Sequence, residues 1–538
     1  MTSSASSAPL DSQTPQPSAP APVNSHLRLQ IALCMTSFLT AFMGSSLNVA
    51  MPFIAIDFNC APENVTWMIS GFTAASSSFL LSASALADRF GYLKIYQIGA
   101  LCTGILSLGV ALSPNLLTCV IMRLLQGVTI SLVFCTAVAL LSQRMPRELR
   151  ASAIAYNVAA VYSGLTFSPI LAGLLVDTLG WQSMFYITVV GLILSFYLTR
   201  SEDYDQPNTT RLPLWRMGFS FVIGMVTLLS ISGYTSDPML VNTLGLGLLL
   251  VGAFVFMEFK SSAPLLPVKF ILKNRVLTFA LLASLFHYLS SFSYTLLLSM
   301  HLQLIMSYSA AMTGLMLIIQ PLLMVVFSSL AGKLTHKFGP QYITITGMLL
   351  CTAGILVLLA LDPNSSLTLI FVSQVLCGTG FGLFSAPNTI IVMSSVQPQY
   401  YALASAVQSI SRTVGQAMST AILTALLHYA INAEVGTTLY VRELSASIHI
   451  SLLISTAGYV LATIFCFCCL VARIHVKAEE QASKKTSEDA TAQAQAQAQD
   501  PAQASASSTA TTMAMEPATE ATQQTSTQAE TQDSPKSH

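Results

Sequence analysis

The chain has 538 residues, of which 53% are hydrophobic and 9% charged, with a mean hydropathy of +0.65 and a net charge of zero. A soluble domain carries about 25% charged residues, so the composition excludes an ordinary soluble protein; the lack of a basic excess excludes a nucleic-acid binder. The ten cysteines are scattered, most of them in apolar runs, where they read as small apolar side chains rather than as a disulfide or metal framework.

Residues 1–26 are rich in Ser, Ala and Pro and are expected to be disordered. Apolar stretches of about the 20 residues a bilayer demands then follow. The first two are 29–54 and 65–87. Between 65–87 and 94–113 lies a short charged turn, Ser84 to Lys94, reading SALADRFGYLK. Asp88 is suited to free backbone N–H groups at a helix start, or to pairing with Arg89 or Lys94. Gly91 permits the tight backbone. Segments 116–142, 152–175 and 181–199 complete a first set of six, within 27–200. Two more, 214–233 and 239–259, lie in a linker region, 201–275. A second set of six occupies 276–475: 276–304, 311–334, 341–361, 367–396, 403–431 and 447–473. From 476 to 538 the sequence is Ala, Gln, Ser, Thr and Glu, a low-complexity tail expected to be disordered. The expectation is an all-α polytopic membrane protein with fourteen transmembrane helices.

Charge tests this topology. With the amino terminus in the cytoplasm, all but three of the 23 Lys and Arg residues fall on the cytoplasmic side. Arg442 alone falls outside, and Arg123 and Arg412 lie inside helices. The split follows the positive-inside rule and places both termini in the cytoplasm. The spacing of Ser84 to Gly91 (small, x, Leu, x, polar, basic, Phe, Gly) returns in Gly332 to Gly339, after the second helix of the second set. Two six-helix halves with an inserted pair between them form a transporter architecture, with a shared site near the middle.

The motifs make the chain similar to the fourteen-helix drug–proton antiporters of the major facilitator superfamily, over about 27–475. Ser84 to Lys94 resembles the superfamily loop G-x-L-a-D-r-x-G-r-k. Asp88, Arg89, Gly91 and Lys94 match it, while Ser84 replaces its leading glycine and Tyr92 a basic residue. Arg123 to Gly127, including Gln126, resembles the fourth-helix motif with a buried arginine. Gly164 to Gly173 resembles the antiporter motif g-x-x-x-G-P-x-x-G-G, with Gly164, Pro169 and Gly173 kept and Ser168 and Ala172 replacing glycines. Asn48 to Pro52 resembles the end of the first helix, and Ala404, Ser405, Arg412 and Gly415 the thirteenth. The resemblance implies secondary active export of amphipathic small molecules, usually driven by protons, from a plasma membrane such as the bacterial inner membrane. It also implies a protein that acts as a monomer without a bound cofactor or metal. One departure bears on coupling. The branch usually carries an Asp nine residues before the proline matching Pro52, and here that position is Met43. Every acidic residue of the folded region falls in a loop or at a helix end, whereas proton antiport needs a titrating group inside the membrane.

Several polar residues are candidates for the path. Arg123 reads as a coupling or switching group, or as a structural hydrogen-bond hub. Arg412 reads as a coupling group or as a side chain that snorkels to the cytoplasmic surface. The Gly164, Ser168, Pro169 and Gly173 face reads as a bendable seam between the halves or as plain helix packing. His287, Tyr294 and His301 are seven apart, nearly two full turns, so they share one face. That face is expected to line the central cavity, with Asn48, Gln320 and Asn388 as further inward groups. His287 reads either as a cavity histidine or as a proton carrier replacing the acid missing at Met43. Gly378, Gly380 and Gly382 superficially match a nucleotide-binding pattern but follow no strand. With no P-loop, the energy comes from a gradient or from nothing. The alternatives are an uncoupled facilitator or specific metabolite carrier of the same fold and, in another class, a non-transporting membrane sensor.

Overall fold

The computed structural model describes residues 23–60, 62–200, 212–233, 238–261, 264–291, 294–308, 310–362, 366–430 and 437–499. The described residues are overwhelmingly helical. This is what a lipid environment requires of a spanning chain, because each helix satisfies its own backbone groups. The first six helices are α1 (Val23–Asp57), α2 (Pro62–Phe90), α3 (Tyr92–Ala111), α4 (Leu116–Arg144), α5 (Arg147–Leu179) and α6 (Gln182–Thr199). The inserted pair is α7 (Leu214–Gly233) and α8 (Pro238–Lys260), followed by the short α9 (Val268–Lys273). The second half comprises α10 (Arg275–Ser291), α11 (Tyr294–Met300) with a π-helical turn His301–Ile305, α12 (Ala310–Leu317), α13 (Ile319–Phe338), α14 (Pro340–Leu358), α15 (Leu367–Ser394), α16 (Tyr401–Ala430) and α17 (Thr438–Gln499).

Twelve helical stretches among the described residues are long and apolar enough to cross a membrane. At the two other expected spans the chain forms the helices α8 and α16, 23 and 30 residues long, which are not among those twelve. Several boundaries differ from the sequence reading, three of them at the chain ends and in the ninth span. Helix α1 begins at Val23, inside the stretch expected to be disordered. The ninth span, one stretch from Arg275 to Ile305, ends in the π turn, and its residues 292–293 lie outside the described residues. Helix α17 runs to Gln499 rather than stopping near 475, because the Ala-, Gln-, Glu- and Lys-rich sequence after 475 is made of strong helix formers. Residues 1–22 and 500–538 of the expected tails lie outside the described residues. The bundle belongs to the first of two compact units, Met1–Val471; Ala472–His538 is the second.

The two charged-loop repeats are conformational twins. Gly91 has φ 92° and ψ 144°, and Gly339 has φ 86° and ψ 150°, a backbone that a side chain would strain. Each amide closes its helix onto the carbonyl four residues back, Ala87 and Thr335, at 2.9 Å. The halves also meet reciprocally. Helix α2 of the first packs on α16 of the second, and α13 of the second packs on α5 of the first. The α7 helix lies against the outside of the α2–α16 seam: Phe79 and Phe221 meet edge to face at 5.8 Å, and Ser82 donates to the Met217 carbonyl at 3.2 Å. At the base of this pair the buried Glu258 accepts from the Leu266 amide and pairs with Arg216 at 3.7 Å. Gly378, Gly380 and Gly382 are contact points for neighbouring helices. A Cβ on Gly380 would meet the Gly347 carbonyl of α14. They are packing glycines, in line with the rejection of a nucleotide loop.

Candidate functional site

A central cavity of about 790 Å³ lies between the halves, lined by residues of α1, α2, α4, α5, α10, α11, α12, α13, α15 and α16. The volume is within the 300–1,000 Å³ typical of small-molecule sites. Its aromatic lining residues include Phe72, Phe134, Tyr162 and Phe381, contributed by both halves, with Ser, Thr, Asn and Gln side chains between them. A further part of the lining is a polar face of α16. Its members Ser405, Gln408, Ser409, Arg412, Thr413 and Gln416 follow the 3, 4, 7, 8, 11 spacing of one helical face. Arg412 is the only charged side chain among the described lining residues. It stands about eleven residues, hence roughly 16 Å, along α16 from Tyr401. That depth puts it in the cavity rather than at the surface as a snorkelling group.

Contacts across the halves are found toward the end that carries Arg89, Lys94, Lys333 and Lys337. The Tyr92 hydroxyl lies 3.1 Å from both an Asp88 carboxylate oxygen and the Pro398 carbonyl, just ahead of α16. Asp88 thus faces the Tyr92 hydroxyl rather than Arg89 or Lys94, and the one hydroxyl proton is shared between its carboxylate and the Pro398 carbonyl. Lys94 is exposed, and the Arg89 guanidinium lies 5.4 Å from the Phe90 ring. Ser405 donates to the Phe134 carbonyl at 3.0 Å. On the reciprocal seam Gly332 lies against Ala155 and the Ser152 backbone. At mid-depth the Tyr162 and Ser385 hydroxyls meet at 2.6 Å, and the Tyr162 ring stands edge-on to Phe381 at 5.4 Å.

Arg123 is fully buried behind Phe72 of the cavity lining. Its guanidinium sits 4.1 Å over the Phe72 ring, donates to Gln126 Oε1 at 2.6 Å and reaches the Met68 carbonyl at 3.4 Å. Gln126 in turn donates to the Ser107 hydroxyl at 2.6 Å and contacts the Met43 sulfur at 3.1 Å. The position where a carboxylate was expected on family grounds therefore closes this chain, but with a thioether. Among the described residues one guanidinium nitrogen, Nη2, has no hydrogen-bond partner.

The structure redistributes the other expected residues. Gln320 lines the cavity. Asn48 is exposed and outside it. Asn388 is buried between helices, donating to the Ala280 carbonyl and the Ser284 hydroxyl at 3.2 and 2.7 Å, so it ties α15 to α10. The shared-face stripe points away from the cavity. Tyr294 bonds Ser373 of α15 at 3.0 Å, and His301 is buried at the π turn. His287 is enclosed by Phe381, Phe384, Tyr288 and Tyr459, with ring centroids at 4.3 to 5.7 Å and neither nitrogen bonded among the described residues. Seven-residue spacing establishes a common face but not its direction. The face on the cavity side of this segment is instead Tyr288, Ser291, Thr295 and Ser299. The antiporter-motif seam belongs to one half. Gly164 meets the Phe38 carbonyl and Ser168 donates to the Phe42 carbonyl of α1 at 3.1 Å, while Gly173 has open space around it and Pro169 is exposed. The inter-half contact of α5 with α13 lies nearer its start, at Ser152 and Ala155.

The sequence reading missed Tyr92, Tyr162 and the polar face of α16. The first was legible only as a departure from a motif. The α16 face was legible as a polar period of 3.6 that surrounds Arg412.

Comparison with known proteins agrees with the architecture. The sequence model of the Major Facilitator Superfamily matches residues 33–420 and 280–514. The chain is 26% identical over 444 residues to the riboflavin transporter RibZ of Clostridioides difficile (strain 630), covering 81% of this chain and 96% of that one. It is 29% identical over 391 residues to the multidrug resistance protein Stp of Mycobacterium tuberculosis, covering 71% and 72% of the two chains. It is 28% identical over 405 residues to the puromycin resistance protein pur8 of Streptomyces alboniger, covering 73% and 80%. Among solved structures it superposes on the proton:xylose symporter XylE with TM-score 0.58 at 15% identity, covering 82% of this chain and 95% of that one. A bacterial homologue of the iron transporter ferroportin in an outward-facing state gives TM-score 0.58 at 12% identity, covering 82% and 98%. A multi-pass helical bundle in two reciprocal halves and a family match over most of its length lead to one assignment: the chain belongs to the Major Facilitator Superfamily.

Proposed function

We propose that this transporter exports amphipathic small molecules through the central cavity by alternating access. The observation that carries the reading is the cavity itself, drug-sized and lined by aromatic and uncharged polar side chains of both halves, with the halves in contact at the basic end only a few residues beyond it. Under the positive-inside assignment that end is cytoplasmic, so the arrangement corresponds to a state accessible from outside, in the plasma membrane of a bacterium with both termini in the cytoplasm. Release of the Tyr92–Pro398 and Gly332–Ala155 contacts, with closure at the opposite end, would return the cavity to the cytoplasm. Relatives named as a riboflavin transporter and as resistance proteins support small-molecule cargo.

Proton antiport is the coupling implied by the resemblance. An uncoupled carrier is favoured by a specific observation: the described cavity lining has no Asp or Glu, and the chain of bonds from Arg123 ends on Met43. The test is growth protection of a sensitive bacterial strain across a panel of toxic amphipaths, with and without an uncoupler. It is paired with efflux from proteoliposomes under an imposed pH gradient. Protection with matching efflux supports the exporter reading. Absence of protection and of flux for every compound overturns it. Efflux that follows the pH gradient overturns the uncoupled form.

A further inference from the structure

The charge inside the bundle is one-sided. Arg412 is the only ionised group among the described cavity-lining residues, and it makes no hydrogen bond or ion pair among the described residues; its one ring contact is Phe134 at 6.0 Å. Arg123 adds a second positive charge directly behind Phe72 of the cavity wall. Neither arginine has a carboxylate partner among the described residues. A cation in a membrane interior is costly unless an anion or a ring of acceptors offsets it. Around Arg412 the nearest polar groups on its own helix are neutral: Gln408, Ser409, Thr413 and Gln416. No described residue supplies the counter-ion at the site, and an incoming ligand can. Guanidinium also has the planar fork that matches a carboxylate or sulfonate. Tyr162 and Phe381 line the same cavity and suit an aromatic body.

We propose that the cargo is an amphipathic monoanion, an aromatic or aliphatic body with a single carboxylate or sulfonate seated at Arg412. The inference rests on the reading of the cavity as an export path and names its substrate class. One cationic group fits one negative charge, and a cationic amphipath is disfavoured by both arginines. The energy source follows from the same charge. An inside-negative membrane potential drives an anion outward, so export of a monoanion needs no titrating carboxylate, and Met43 is compatible with function.

The experiment uses the full-length protein with three probes that share one fluorophore and differ in charge: dansylate (anion), dansylamide (neutral) and dansylcholine (cation). Binding is read by fluorescence in nanodiscs and transport in proteoliposomes, with the potential set by a potassium gradient and valinomycin. We expect dansylate to bind and move at least tenfold better than dansylcholine, and to leave faster from vesicles held negative inside. Arg412→Gln should lower the dansylate-to-dansylamide ratio tenfold or more, while Arg412→Lys should keep a large part of it. The ratio is internal to each preparation and does not depend on how much protein folds. Dansylcholine or dansylamide carried as well as dansylate, or a ratio unchanged in Arg412→Gln, overturns the anion assignment and leaves the exporter reading standing. Dansylate bound in an Arg412-dependent way with no probe transported upholds the anion site and defeats the exporter reading. No binding and no transport of any probe defeats both.

Discussion

Gly332→Ala tests whether the reciprocal seam holds the basic end closed. A Cβ at Gly332 would lie 2.6 Å from the Ala155 Cβ and 3.1 Å from the Ser152 Cα. Carbon atoms settle at about 3.5–4.0 Å, so α13 and α5 must part by about 1 Å at this point. Overpacking of this kind costs about 1–3 kcal/mol. The cost falls only on the state in which the halves touch at the basic end. The better helix propensity of Ala, about 1 kcal/mol, is gained in both states and cancels. A shift of 1–3 kcal/mol moves the conformational equilibrium about 5- to 150-fold. Hydrogen–deuterium exchange of the full-length protein reads this directly. Exchange across the segments around 145–155 and 392–404 should speed up, and efflux should slow because the outward state is rarely reached. Gly332→Ala with wild-type exchange and wild-type efflux would refute the seam as a gate.

Three further substitutions probe other parts of the account. Tyr92→Phe deletes a hydroxyl whose inter-half partner is the Pro398 carbonyl. One such bond is worth about 1 kcal/mol, so the same exchange assay should show a shift near fivefold, and an unchanged profile would remove Tyr92 from the latch. Arg123→Ala should abolish transport, whereas Arg123→Lys should retain a fraction, since Lys keeps the charge over Phe72 but loses the fork to Gln126. An Ala variant as active as wild type in an efflux assay would make the buried charge mere scaffold. His287→Phe should keep or raise thermal stability, by about 1 kcal/mol, because it removes two unbonded ring nitrogens from an aromatic enclosure. It should leave any pH-gradient dependence unchanged; loss of that dependence would restore His287 as a proton carrier.

The architecture was legible because a bilayer imposes length, apolarity and charge placement on every span. The repeat was legible because both copies need a glycine at one backbone position, and Gly91 and Gly339 share their dihedral angles to within a few degrees. Directions of side chains were not legible. The spacing of His287, Tyr294 and His301 defines a face, but only the positions of Ser373, Phe384 and Tyr459 decide that the face turns from the cavity. The same holds for Asn388, whose amide finds Ser284, and for the Gly164 seam, which finds α1. Arg412 illustrates the opposite case. Its polar neighbours at helical spacing were present in the sequence, and depth along α16 decides between snorkelling and lining. The extension of α17 beyond 475 shows that low complexity and helix propensity can coincide.

The central claim is that cargo passes through the cavity between the halves. Gly44 lines that cavity with no atom within 4 Å of where a Cβ would stand, so Gly44→Trp fits the fold and fills the path. Gly173 also has open space but does not line the cavity, so Gly173→Trp serves as its match. Efflux from proteoliposomes is measured for both variants at equal reconstitution and equal thermal stability. The account predicts that Gly44→Trp stops transport and Gly173→Trp does not. Transport by Gly44→Trp at the wild-type rate would contradict it.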